Sequence, residues 1–352
     1  MQLPADRREF DFVAVQPLAL VDHVCTVNKA LVGSLLHNSG TCARGTNTAE
    51  VGGSKRVSFE EIQRLLGAVG KFSTSAGGSA SNTAKGLAGF GLKCRLVGAR
   101  GSDEQGAAYE QSMQRSGVDV SGLRIHEGST GCCVILSCAG LRTMRTYQGG
   151  AARLPPKALS AADFAGARWL FLSAYCLYGQ GFVERALALA REAGVKVALD
   201  LASFEVVRAH LPELLELLHR GGVDACFCNE DEAVQLSGGP GVGSAAAALE
   251  VLSRHCAVAA VTLGERGCLC ARDGEQLAEP ALGGVRVVDA TGAGDLFASG
   301  FLTAWLAGRP LLDCARLGCL AGAAVLQASG GEMTEDSRRW LAKQRAARGL
   351  CF

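Results

Sequence analysis

The chain has 352 residues, 48% of them hydrophobic, with 35 Lys and Arg against 34 Asp and Glu and a formal net charge of +1. That length and apolar content support a large core, in one α/β domain or one domain with an appendage, and argue against disorder. The balanced charge supplies no broad field for nucleic acid or an anionic membrane, so small molecules are the expected partners. Fifteen cysteines include no Cys-x-x-Cys pair, and the spacings of Cys132-Cys133, Cys226/Cys228 and Cys268/Cys270 suit neither a zinc site nor a redox motif. They read as small, reduced core residues. Met1 to Phe10 lacks the apolar run of a signal peptide, and no stretch approaches the roughly eighteen uninterrupted apolar residues of a membrane helix. Cys351 stands too near the end for prenylation. The expected location is cytoplasmic, with a plastid location left open if a leader precedes the recorded chain.

In chain order, Phe12 to Val21 reads as a first buried strand closed by Asp22. From Val24 to Ser58 there is no Phe, Trp or Tyr, and Asn38 to Ser54 is rich in Gly, Ser, Thr and Asn. This predicts strands and loop outside the main core, as part of a lid. Ser79 to Gly91 predicts a helix with Ala80, Ala84, Leu87 and Ala88 on one stripe. Lys93 to Gly98 follows as a strand, and Ser102-Asp103-Glu104-Gln105 as a capping box for a helix through Arg115. Thr130 to Ser137 and Thr143 to Gln148, joined around Ala139-Gly140, predict a hairpin that completes the lid.

The pattern then becomes regular. Strands at Trp169–Leu172, Val195–Leu199, Ala225–Cys228 and Val258–Leu263 alternate with helices at Phe182–Glu192, Phe204–Leu218 and from Asp231, which predicts a parallel sheet covered by helices. Cys268 to Ala271 with Asp273-Gly274 suggests another hairpin, and long helices start at Ala293 and Leu311. Arg338, Arg339, Lys343, Arg345 and Arg348 read as the solvated face of a terminal helix. Gly238 to Ser244 lacks the Gly-Lys-Ser/Thr ending of a phosphate loop and reads as surface. Ligands collect beyond strand C-termini in such sheets, so Asp200, Asn229, Thr262 and Asp289 are expected to meet at one crevice.

The most informative stretch is Asp289-Ala290-Thr291-Gly292-Ala293-Gly294-Asp295. Gly292, Ala293 and Gly294 leave their backbone N–H groups open at a helix start whose dipole favours negative charge, so the turn reads as an anion hole. A carboxylate inside an anion hole needs a task, and Asp295 is the candidate base that takes a proton from an attacking hydroxyl. Asn229-Glu230-Asp231-Glu232 is an acidic cluster suited to a hydrated Mg2+ beside phosphates, Glu232 being its favoured carboxylate, or to plain helix capping. Thr262 to Gly267 is a strand and glycine turn able to pass close to a nucleotide. Gly77 and Gly78 permit close approach of a substrate, while Asn82 and Asp22 offer partners to its hydroxyls.

Together these residues resemble the ribokinase-like, or PfkB, carbohydrate kinases, whose members include adenosine kinase. Asp289 to Asp295 is similar to the family's C-terminal signature, Asn229 to Glu232 to its Asn-x-x-Glu motif, and Thr262 to Gly267 to its nucleotide turn. Gly77 to Asn82 matches its N-terminal glycine pair and asparagine. Ala139 to Thr143 with Gly149-Gly150-Ala151 is similar to its lid hairpin and the segment after it. The resemblance implies one domain over 1–352, a three-layer α/β/α fold with a central, mostly parallel sheet, and a small β lid from about 23–58 and 125–150. It implies ATP and Mg2+, with the γ-phosphate passing to a hydroxymethyl group of a sugar or nucleoside. Asp295 with the Gly292, Ala293 and Gly294 amides would be catalytic, and Asn229, Thr262, Gly264 and Gly267 would hold nucleotide. Asp22, Gly77, Gly78, Asn82 and Arg142 would hold the acceptor, Glu232 would hold Mg2+ through water, and Asp289 and Thr291 a monovalent cation such as K+. A homodimer through the lid follows from the same analogy.

One departure is Leu18, which stands where many adenosine-kinase-like members carry an asparagine for the sugar. The aromatic-free early lid also weighs against a purine stacked there, with His126 and Tyr147 as the alternative rings. Adenosine kinase itself and a catalytically inactive scaffold of the same fold are the competing functions. A dinucleotide-dependent oxidoreductase is set aside because no Gly-x-Gly-x-x-Gly follows the first strand.

Overall fold

The computed structural model describes residues 9–37, 53–138, 141–149, 153–328 and 330–352. Its strands are β1 (Phe10–Gln16), β2 (Leu20–Thr26), β3 (Ser54–Arg56), β4 (Ser73–Gly77), β5 (Cys94–Gly101), β6 (Asp119–His126), β7 (Gly131–Cys138), β8 (Leu141–Tyr147), β9 (Ala167–Ser173), β10 (Lys196–Asp200), β11 (Ala225–Asn229), β12 (Val258–Thr262), β13 (Cys268–Arg272) and β14 (Glu275–Glu279). Its helices are α1 (Lys29–His37), α2 (Phe59–Val69), α3 (Ser79–Gly89), α4 (Glu104–Arg115), α5 (Ala161–Phe164), α6 (Phe182–Glu192), α7 (Phe204–Ala209), α8 (Leu211–His219), α9 (Glu230–Leu236), α10 (Ala245–Ser253), α11 (Ala293–Leu306), α12 (Leu311–Val325) and α13 (Glu335–Ala347). No helix among the described residues is long and apolar enough to cross a membrane.

Two sheets result. The larger runs β14-β13-β12-β11-β10-β9-β1-β5-β6, parallel from β12 to β6 and antiparallel only in the pairings of β13. Alternation along its strands divides the core, as a sheet buried on both faces requires. Val13 and Val15 face one layer with Cys226, Cys228 and α6, α8 and α10, whereas Phe12 and Ala14 face the other with α3, α11 and α12. This is the expected three-layer α/β/α arrangement. The smaller sheet runs β3-β8-β7-β2-β4, and its outer layer is α2, whose Ile62 and Leu65 pack with Val134 and Leu136.

The single strand expected over Phe12 to Val21 is two strands in two sheets. Pro17 has no N–H to continue a ladder, and the chain crosses there from β1 to β2. Asp22 consequently lies inside β2, in the smaller sheet, rather than at the end of the first strand of the larger one. The excursion after Val24 contains helix α1 besides β3. Strands β4 and β6 were not signalled by alternation; β6 occupies the edge of the larger sheet, and of its residues only Gly122 is buried. The helix expected over Phe204 to Leu218 breaks into α7 and α8 because Pro212, near the start of α8, cannot donate into a preceding turn. The cap of α4 is Asp103, one residue later than expected, with its side chain accepting from the Gly106 N–H. The hairpin of β7 and β8 forms as expected, while its turn at Ala139-Gly140 lies outside the described residues.

The described cysteines are free, and all but Cys319 and Cys351 are buried. Helix α11 is held at close quarters by α12 and α3. A Cβ at Gly300 would stand 2.5 Å from the Leu317 carbonyl oxygen, and one at Gly86 2.3 Å from Ser299 Oγ. Glycine at these two contacts lets the backbones approach, and that packing fixes where the N-terminus of α11 points.

Candidate active site

A cavity of about 450 Å³ lies between the C-terminal ends of the parallel strands and the inner face of the smaller sheet. Its walls bring together Asp22, Gly78, Ser79, Asn82, Arg142, Asp200, Asn229, Glu232, Thr262, Thr291, Gly292, Ala293, Gly294 and Asp295. Asp22 arrives on β2, Arg142 on β8, Asp200, Asn229 and Thr262 at the ends of β10, β11 and β12, and Asp295 in the first turn of α11. Gly77, Gly264, Gly267 and Asp289 do not line the cavity. Gly77 backs onto Asp22, since a Cβ there would lie 2.2 Å from the Asp22 carboxyl carbon. Gly267 has φ of +95°, and a Cβ on it would meet the Glu279 carbonyl oxygen at 1.9 Å, so its own hairpin accounts for the glycine. Asp289 is buried and ties the loop together: one oxygen accepts from the Thr291 N–H at 3.0 Å and the Thr291 hydroxyl at 2.8 Å, the other from the Gly330 N–H at 2.9 Å.

Gly292 caps α11 with φ of +75°, and a Cβ there would stand 2.8 Å from the backbone of Gly331. Gly294 differs, for a Cβ at this position would meet nothing within 4 Å. The protein's own packing does not require glycine at 294, and the bare backbone leaves room for something else. The first-turn amides of a helix have no intrahelical acceptor; Gly292 to Asp295, which carry them here, line the cavity, and of the four the Ala293 N–H reaches back to the Ala290 carbonyl at 3.3 Å.

Asp295 Oδ2 accepts from Asn82 Nδ2 at 3.0 Å. Burial raises its pKa, opposed by Asn82 and by the charges of Arg142 and Lys85. A carboxyl raised in this way is a better proton acceptor than a surface aspartate. Asn82 Oδ1 is buried without a hydrogen-bond partner, a condition that costs energy until a ligand hydroxyl donates to it. Asp22 is pushed up to about 7, mainly by burial, with Lys85 opposing and Asp295 adding to the rise. Lys85 sits beneath these carboxylates, with its Nζ donating to the Ala76 carbonyl at 2.6 Å and to Glu332 Oε1 at 2.5 Å. Burial lowers its pKa, and Glu332, Asp22 and Asp295 resist the fall.

On the opposite wall, Asn229 and Glu232 form a reciprocal cap on α9. The Asn229 side chain accepts from the Glu232 N–H at 3.0 Å, and Glu232 Oε2 accepts from the Asn229 N–H at 2.9 Å. The helix-capping alternative is therefore real for this segment, yet Glu232 also faces the cavity. Its pKa is raised well above the usual carboxylate value by burial and then by Asp200, whose own pKa is pushed up to about 7 by burial and by Asp295. Asp295 thus adds to the rise at both Asp200 and Glu232, a concentration of negative charge that a cation would relieve. Among the described residues no cluster of three or more His, Cys, Asp or Glu side chains is placed to cage a metal ion.

Several cavity residues carried no clear motif. Tyr175, Tyr178, Phe227 and Phe297 supply its rings, whereas Tyr147 packs on Phe59 with ring centroids 5.2 Å apart and His126 ends β6. Arg56 and Arg153 also line it, and only a register for β3 against β8 would have exposed the first of them. Leu18 is buried on the cavity wall beside Gln16, whose Nε2 donates to the Leu18 carbonyl at 2.9 Å.

The family model described as pfkB family carbohydrate kinase matches residues 53–337. Among curated relatives, an aminoimidazole riboside kinase of Salmonella typhimurium is 32% identical over 235 residues, 64% of this chain and 72% of the relative. Among solved structures, a probable sugar kinase from Rhizobium etli CFN 42 superposes with a TM-score of 0.83 at 29% identity, over 98% of this chain and 100% of that one. An adenosine kinase from Sinorhizobium meliloti also gives 0.83, at 28% identity over 96% and 99%. With the fold, the ordered motifs and these matches in agreement, the chain belongs to the pfkB family of carbohydrate kinases and is a phosphotransferase acting on an alcohol group.

Proposed function

We propose that the protein transfers the γ-phosphate of ATP to a hydroxymethyl group of a sugar or nucleoside, with Asp295 as general base. The observation that carries this reading is the Asn82–Asp295 contact at 3.0 Å, because it joins the acceptor wall to the open N-terminus of α11 inside one cavity. Asp22 and Asn82 take the acceptor's hydroxyls: Asp22 as a buried carboxylate that accepts, Asn82 through its unpartnered Oδ1. They aim one hydroxyl at Asp295. Asp295 removes its proton as the oxygen attacks phosphorus, and the amides of Gly292, Ala293, Gly294 and Asp295 take up charge on the transferred group. Arg142 adds a positive charge from the smaller sheet, which acts as a lid that excludes water.

Asn229 and Thr262 would form the nucleotide side of the crevice, with the turn from Gly264 to Gly267 beyond its wall. Glu232 and Asp200 would hold Mg2+ through water, and the ion would neutralise phosphate charge. Asp289 and Thr291 anchor the loop, with three hydrogen bonds made to the carboxylate, and would be the residues to hold a monovalent cation such as K+. Relatives of the chain include an aminoimidazole riboside kinase, a cytidine kinase and a ribokinase, which supports the acceptor class.

ATP turnover over a panel of sugars and nucleosides, with Asp295→Asn as control, tests the reading. A positioned base contributes about 10²–10⁴-fold, so the variant should lose that much in kcat with little change in its melting temperature. Undiminished turnover would assign the base elsewhere, and no turnover on any acceptor by the wild type would favour a scaffold.

A further inference from the structure

The cavity carries a charge pattern that phosphate transfer does not use. Its carboxylates Asp200, Glu232 and Asp295 stand with the parallel strands and Asp22 on the smaller sheet, while Arg56 and Arg153 gather at the 3-10 turn that holds Tyr175 and Tyr178; the one carboxylate at that end, Glu205, is already engaged by the Ser54 N–H at 2.9 Å. The Arg56 guanidinium lies over the Tyr178 ring, 4.0 Å from its centroid. Gln148, with its amide oxygen turned to the guanidinium, accepts from Arg56 Nε at 3.1 Å. Arg153 Nη2 donates to the Tyr175 carbonyl at 3.1 Å, and its Nε is buried with no hydrogen-bond partner. Among the described residues no carboxylate pairs with either arginine. They act instead on each other, Arg56 adding to the burial that lowers the Arg153 pKa.

Two fixed, like-charged guanidinium groups facing one cavity are costly until an anion joins them. Planar forks of this kind match carboxylate and phosphate oxygens. The γ-phosphate has its own cradle at α11, and Arg142 is the arginine whose charge reaches Asp295. We infer that Arg56 and Arg153 bind an oxyanion on the acceptor, so that the substrate is a sugar or polyol carrying a carboxylate or phosphate group besides the hydroxymethyl that is phosphorylated. The inference rests on the kinase reading only in calling this molecule the acceptor.

The test compares glucose and adenosine with gluconate and glucose 1-phosphate, all bearing a hydroxymethyl group. ATP turnover is measured in the wild type, Arg153→Gln, Arg153→Lys and Arg56→Gln, and direct binding by calorimetry in the wild type, Asp295→Asn, Arg153→Gln and Arg56→Gln. One of the anionic acceptors should be preferred over both neutral ones, and which of the two is preferred separates carboxylate from phosphate. Losing a charge-assisted hydrogen bond should raise its KM about 10–100-fold in Arg153→Gln, with KM for ATP far less changed and partial rescue in Arg153→Lys. Arg56→Gln gives the same answer should Arg153→Gln fail to fold. A preference for neutral acceptors, binding of neither anion, or an equal loss for neutral and anionic acceptors would overturn the inference. Arginine-dependent anion binding without any transfer from ATP would sustain it while removing the kinase reading.

Discussion

Gly294→Ala separates what the fold needs from what the proposed chemistry needs. Gly294 is the second residue of α11, its φ is not in the left-handed region, and a Cβ there would meet no atom within 4 Å. Replacing glycine by alanine in a compatible helical position stabilises by about 0.4–1 kcal/mol, through lost freedom of the unfolded chain. The melting temperature should therefore hold or rise slightly. Activity should move the other way, because the added methyl occupies the space in front of first-turn amides that are to receive a phosphoryl oxygen. Spoiling one donor of such a hole costs about 3–4 kcal/mol, roughly 10²–10³-fold in kcat. Steady-state kinetics with ATP and a saturating acceptor, run beside a thermal melt, read both quantities. Gly292→Ala is the contrasting variant, since its φ of +75° and the Gly331 backbone at 2.8 Å predict loss of stability as well as of activity. Full activity in a stable Gly294→Ala protein would refute the anion hole, and marked destabilisation would refute the reading of open space.

Gly77→Ala should push the Asp22 carboxyl off its position, because the new Cβ would begin 2.2 Å from it; overpacking of this kind costs about 1–3 kcal/mol. Kinetics should show KM for the acceptor rising more than KM for ATP. Lys85→Met removes a buried cation that faces Glu332, Asp22 and Asp295. It should destabilise by about 3–5 kcal/mol in urea unfolding and, where activity survives, move the acid limb of kcat/KM to higher pH, since Lys85 holds the Asp22 pKa down. Asp200→Asn tests the acid cluster. Because the folded pKa of Asp200 is raised from 3.8 to about 7, its neutral form adds stability below about pH 4 that is lost as pH rises through 7. The variant should thus be the more stable protein at pH 8, by at most about 4 kcal/mol, and equal to wild type near pH 4, as urea unfolding at the two values will show.

What the sequence by itself determined was short-range. The turn from Asp289 to Asp295, the Asn229–Glu232 cap, and the regular alternation of strands and helices after Trp169 all rest on neighbours a few residues apart, and so they were legible together with the three-layer fold. Tertiary structure decided the rest. Asp22 belongs to the smaller sheet because β2 pairs with β4 and β7, far along the chain, although its apolar run joins smoothly to β1. Lys85 reads as an ordinary helix lysine until Glu332 closes on it from 247 residues away. Arg56 and Arg153 acquire meaning only when β3 docks on β8 and the Tyr175–Tyr178 turn comes beneath them. Local pattern records the torsional and burial preferences of each segment, whereas the electrostatics of a cavity are set by charges that only folding makes neighbours.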